Sequence, residues 1–119
     1  MADIFTDVGE TIMADLLDGT ITAPTLRIGW GTGAGTTAKA DTTLFTEAAE
    51  ARVAATMSQP LANQNQMVAT VTSLSDQTIT NSGVFDSVSS GNMLLKTDFA
   101  GVALLTGDKI EFTFQLDWS

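Results

Sequence analysis

Ile110-Glu111-Phe112-Thr113-Phe114-Gln115-Leu116-Asp117-Trp118-Ser119 alternates apolar and polar side chains without a break over ten residues. Successive side chains on a β-strand point to opposite faces, so this stretch reads as a strand with one buried and one wet face. Gly107-Asp108 supplies the turn before it. Upstream, Leu26, Ile28 and Trp30 alternate with Arg27 and Gly29, and Arg52 to Met57 alternates again until Pro60. Gln66 to Thr72 is rich in β-branched residues, Thr78-Ile79-Thr80 follows the polar turn Ser75-Asp76-Gln77, and Val84-Phe85 and Met93-Leu94-Leu95 flank a polar loop at 86–92. Short strands at turn-punctuated spacing predict a mainly β chain, an antiparallel β-sandwich of Ig-like or jelly-roll-like type. Residues 41–51 read as a short helix or an irregular connection.

The first nineteen residues have a different period. Ile4, Phe5, Val8, Ile12, Leu16 and Leu17 recur at helical spacing, with most of the acids on the other side. Asp3 as N-cap and Gly19 as the residue after the C-terminus predict an amphipathic helix over 4–17, weakened at Gly9 by about 1 kcal/mol relative to Ala. A lone helix of this length is marginal in water, so its apolar stripe needs a surface, on its own domain or on a neighbouring subunit. The division expected is an N-terminal helix or arm at 1–19 and a sandwich domain at 20–119.

Composition narrows the chemistry. The chain has 119 residues with no Cys, His or Tyr and with 19 Thr. Disulfides, thiolate metal sites and cysteine nucleophiles are excluded, as is the usual general base near neutral pH. Charged residues are only 16% and mean hydropathy is +0.18, which excludes disorder for most of the length. Fourteen acids against five bases give a net charge of −9, and residues 1–19 alone contribute five acids and no base. Five scattered bases cannot build a footprint for nucleic acid or an anionic membrane. The opening residues have no basic segment followed by an apolar run, and no apolar stretch is long enough to span a bilayer.

No catalytic or cofactor constellation emerges. Gly29-Trp30-Gly31-Thr32-Gly33-Ala34-Gly35 lacks the third glycine of a dinucleotide fingerprint and the Gly-Lys-Ser/Thr end of a phosphate loop. The loop from Asp86 to Asn92 has the oxygens of a calcium loop without its bidentate Glu. Glu47 and Glu50 form a carboxylate pair on a segment expected to be exposed, with nothing to split their pKa values. The chain is therefore expected to be non-enzymatic and to need no metal or cofactor. Trp30 and Trp118 each end an alternating run, in core phase, and Trp is also favoured at interfaces. Arg52 is expected to pair with Glu47, Glu50 or Asp41.

The string Gly31-Thr32-Gly33 with Thr36-Thr37-Ala38, then Asp41-Thr42-Thr43-Leu44 with Glu47, then Arg52-Val53, resembles a group of small tailed-bacteriophage virion proteins. Gly83-Val84-Phe85-Asp86, Gly91-Asn92-Met93-Leu94, Phe99 and Gly107-Asp108 extend the resemblance along nearly the whole chain. The chain departs from that pattern at Asn81-Ser82, where a Glu is usual, and at the extra Ala34-Gly35. The resemblance implies a structural virion protein, made in the host cytoplasm. Within that group the negative charge, repelled by packaged DNA, tilts toward the outer face of the capsid. The reading is a decoration (cement) protein, commonly trimeric, that bridges major capsid protein subunits and itself. The alternative is a tail, neck or collar component; at this length the chain is too short for a receptor-binding fibre of its own. Candidate contact residues are Ile4, Phe5, Val8, Ile12 and Leu16 on the helix, and Trp30, Thr32, Arg52, Phe85 and Asp86 around the loops. A glycan-binding sandwich is disfavoured by the lack of Tyr.

Overall fold

The computed structural model describes residues 4–118. The Asp3 cap and the alternation position Ser119 lie outside them. The alternating stretch is strand β8, Lys109–Asp117. It pairs antiparallel with β5, Gln64–Thr72, in an unbroken register from Gln64 opposite Asp117 to Thr72 opposite Lys109. β4, Thr56–Ser58, lies on the other side of β5 and completes a three-stranded sheet in the order β4-β5-β8. The second sheet has five strands in the order β1-β7-β6-β2-β3. These are β1 Ile4–Phe5, β2 Arg27–Gly31, β3 Val53–Ala54, β6 Gln77–Phe85 and β7 Met93–Leu104.

The core lies between the sheets. Phe112 and Phe114 of β8 meet Trp30, Ile79, Val84 and Leu95 from the larger sheet and Met67 from β5. Trp30 stands edge-on to Phe112 at 6.1 Å between ring centroids. The polar residues of β8 stay exposed and its apolar ones turn inward, as the alternation requires. The expected β-sandwich with one N-terminal helix is the fold.

Three local expectations are corrected, and the open choice over residues 41–51 is resolved as the irregular connection. The helix, α1, runs Asp7–Asp18, and Ile4–Phe5 instead pair with Lys96 and Leu95 of β7. Thr6 decides this start: its hydroxyl oxygen accepts from the Gly9 amide at 2.9 Å as an N-cap. The same hydroxyl donates to the Met93 carbonyl at 2.5 Å, and the Thr6 amide donates to Leu94 at 2.9 Å. One buried side chain thus caps the helix and ties it to β7. The C-terminus is as expected, with Gly19 left-handed at φ 74° and its amide returned to the last turn.

The run Arg52–Met57 is two strands. β3 pairs with β2 and β4 with β5, and between them the Ala55 amide donates to Leu26 at 2.8 Å. The chain changes sheets there without changing its period of two. Residues 41–51 form no helix; Asp41 to Arg52 is an irregular connection whose Glu47 makes an isolated bridge to Gly31. Trp118 is 38% exposed where Trp30 is 1%. β8 ends at Asp117, so the Trp118 ring rests on Phe5 at the rim while its indole N–H donates to Asn65 at 2.7 Å.

Candidate functional site

Three polar clusters pin the irregular connection onto the larger sheet. In the first, Arg52 is almost fully buried and forms a two-pronged pair with Glu47, at 2.7 Å from Nε and 2.8 Å from Nη2. Its Nη1 donates to the carbonyls of Ser87 and Ser90 at 3.0 and 2.9 Å, and its guanidinium carbon lies 3.5 Å from the centre of the Phe85 ring. Of the three acids offered to Arg52 by the sequence, the structure selects Glu47. Asp86 closes the same loop by accepting from the amide and side chain of Asn92 at 2.8 and 3.0 Å.

The second cluster corrects the reading of Glu50 as exposed. Glu50 is buried and accepts from the Trp30 indole at 2.9 Å, the Leu74 amide at 2.9 Å and the Gln77 side chain at 2.6 Å. Burial alone would raise its pKa; the hydrogen bonds from Trp30, Leu74 and Gln77 outweigh it and hold the carboxyl below its ordinary value. Glu47 and Glu50 therefore serve separate networks, and neither is placed as a proton donor to the other.

Sequence reasoning missed the third cluster. Lys96 is completely buried on β7, pairs with Asp41 at 2.9 Å, donates to the Thr43 carbonyl at 2.9 Å and lies 3.2 Å from the centre of the Phe45 ring. Burial opposes ionisation of Asp41, yet the bond to Lys96 and the Ala38 amide keep its pKa below the ordinary value. The signal available was a lysine ending the apolar run Met93-Leu94-Leu95, a position that needs an acid partner from elsewhere.

Two amides of the glycine loop are already used. Thr32 and Gly33 donate to Thr46 and Phe45 at 2.9 and 2.8 Å, so that loop is a seam to the 41–52 connection. A Cβ on Gly31 or Gly33 would come within 2.6 Å of that connection, which explains the glycines without a phosphate. Among the described residues there is no group of three or more His, Cys, Asp or Glu side chains able to hold a metal ion.

The sequence-derived contact residues fall into two groups. Arg52, Phe85, Thr32 and Asp86 surround the 41–52 seam, and Trp30 sits below it with its indole N–H on Glu50. Ile4 and Phe5 belong to β1, while Val8, Ile12 and Leu16 lie on α1, which packs on β7 of its own chain. Ile12 is buried there at 5% exposure, Val8 and Leu16 are half-buried, and Leu17 stands out at 89%.

Two apolar grooves lie on the surface of the described residues. An apolar groove of about 360 Å³ runs between α1 and the sandwich, floored by Leu26, Met67, Leu94 and Leu116. A second, of about 380 Å³, lies beside β8 and is lined by Phe99, Val102, Ile110 and Phe112. Elsewhere on α1, Asp7 and Glu10 both pair with Lys39.

A protein-family model described as podophage GP4 fiber I protein gp80 matches residues 5–116. No curated protein matches the chain. The match spans both sheets, α1 and all three polar clusters. The chain belongs to the podophage GP4 fiber I protein gp80 family of phage structural proteins, components of the virion.

Proposed function

We propose that the chain is a non-enzymatic structural subunit on the outside of the virion, held there by protein contacts as a component of the fibre apparatus. The observation that carries this reading is the fibre-protein family match over residues 5–116. The structure supports it in physical terms. The Arg52, Glu50 and Lys96 clusters tie the loops of a small sandwich, 43 × 27 × 25 Å, to its sheets. The charge of −9 keeps such a part away from packaged DNA.

A second reading is favoured by that charge: an outer capsid decoration protein that forms trimers and bridges major capsid subunits. It would stabilise the head by mass action, binding the assembled lattice and not the free subunits. Both readings put the chain on the exterior and use no cofactor.

Cryo-electron microscopy of intact particles, with an antibody fragment against the chain as a fiducial, tests this. Density at the fibres is the expected result. Density on the shell overturns the fibre reading in favour of decoration, and particles that lack the chain refute both.

A further inference from the structure

β8 is an edge strand, paired with β5 on one side and with nothing on the other among the described residues. Its register fixes which backbone groups are free. At one end the Trp118 amide donates to Asn63 at 2.7 Å, and at the other the Asp108 carbonyl accepts from Ser73 at 2.7 Å. Even-numbered residues thus turn their backbone groups toward β5. Because direction alternates along a strand, the amides and carbonyls of Lys109, Glu111, Thr113, Gln115 and Asp117 point out of the open edge. Nine residues of unpaired, unbulged edge form a template for another strand.

We infer that this edge pairs with β8 of a second copy of the chain, antiparallel about a two-fold axis through Thr113, making one continuous six-stranded sheet. Charge selects the occupant and the register. With Thr113 opposite its own copy, Lys109 faces Asp117 of the second copy at both ends, and Glu111 faces Gln115. On the inner face Ile110 meets Leu116 and Phe112 meets Phe114, continuing the apolar interior across the axis. A shift of the axis to Ile110's side by one residue, to Phe112, leaves Lys109 opposite Gln115; a shift to Phe114 sets Glu111 against Asp117. An axis at Glu111 sets that acid against itself. Neither Lys109 nor Glu111 has an ion-pair partner among the described residues, and Asp117 accepts only from the amides of Gln64 and Gln115. The groove at Phe99 and Val102 beside β8 leaves the approach open. The inference stands on strand geometry and charge and not on the fibre reading; the trimer of the decoration reading would contradict it.

Sedimentation velocity of the whole chain, from micromolar to millimolar concentration, tests it. The expected result is a monomer–dimer equilibrium between 12.5 kDa and twice that mass. Lys109→Asp and Asp117→Lys should each weaken the dimer about tenfold, since two symmetric sites exchange attraction for repulsion. The double variant K109D/D117K should restore it to within about threefold of the parent, because each new acid again faces a new base. Thr113→Pro, which removes an outward amide and none that serves β5, should abolish dimers while circular dichroism stays unchanged. The charge variants sit at exposed positions and carry the test if the proline variant does not fold. A monomer throughout, a trimer, or a dimer indifferent to both single reversals overturns the inference. A chain that is monomeric in solution yet present at the fibres would overturn this inference alone.

Discussion

Replacing Gly9 by Ala separates two views of the N-terminal helix, because they give opposite signs. In a helix that faces solvent, Ala in place of Gly stabilises by about 1 kcal/mol. In this structure a Cβ at Gly9 would stand 2.6 Å from the Leu94 carbonyl oxygen and 2.8 Å from the Phe5 ring. Neither neighbour can yield easily: Leu94 is backbone of β7, and Phe5 is held in β1 and against Trp118. The helix would have to lift by about 0.6–0.8 Å to restore ordinary contact, loosening Ile12 and the Thr6 cap, and overpacking of this kind costs about 1–3 kcal/mol. With the propensity gain set against it, G9A should be less stable by up to about 2 kcal/mol, a fall of up to roughly 1 M in the urea midpoint for a domain of this size. Ala14→Gly on the exposed face is the control, and should cost about 1 kcal/mol from propensity alone. Urea unfolding followed by far-UV circular dichroism reads both. A midpoint that rises in G9A would mean that α1 is not seated on β7, and the account of Thr6 and Gly9 would fall with it.

Glu50→Ala leaves the buried Trp30 indole and the Leu74 amide without their acceptor, and should destabilise by about 3–5 kcal/mol; Glu50→Gln, which keeps one acceptor oxygen, should cost less, both read from urea midpoints. The lowered pKa values of Glu50 and Asp41 contribute stability that is present above their unfolded values and is lost as pH falls through the folded ones. Thermal unfolding should therefore weaken progressively below about pH 4.5, and the gap between the parent and Glu50→Gln should narrow over the same range. Lys96→Met removes the charge and strands Asp41, whose carboxylate is only partly exposed; a loss of about 2–4 kcal/mol is expected, and the double change with Asp41→Asn should recover part of it, as a mutant cycle would show.

The sandwich was legible because β8 is wet on one face and buried on the other, so its burial is written directly as a period of two. The Gly19 stop was legible for a similar reason, since a left-handed residue is chosen locally. The helix start was not. Ile4 and Phe5 fit a helical stripe as well as a strand, and the choice rests on Thr6 bonding to Met93 and Leu94, nearly ninety residues away in sequence. The change of sheet at Ala55 was hidden because alternation is the same in either sheet and only the Leu26 carbonyl marks the crossing. Glu50, Arg52 and Lys96 show a third limit. Charge usually predicts exposure, and each of these is buried through partners that the fold supplies from distant segments.

Those same partners determine what the surface can do. Arg52 and Lys96 spend their charge inside the fold, and Lys39 is taken by the acids of α1. Among the described residues Arg27 and Lys109 alone of the bases lack an ion pair, so the field outside the chain is strongly negative. Two copies repel at long range, but at physiological ionic strength that repulsion fades over about 8 Å. Inside that distance the outcome depends on which side chains stand opposite each other, and on β8 one register brings each Lys109 to an Asp117. A single edge contact of this size is weak in dilute solution. If the proposed pairing holds, copies placed side by side on a particle would meet at an effective concentration in the millimolar range, enough to sustain such a contact. An acidic subunit with one correctly phased edge would thus stay dispersed while it is being made and pair once it is mounted.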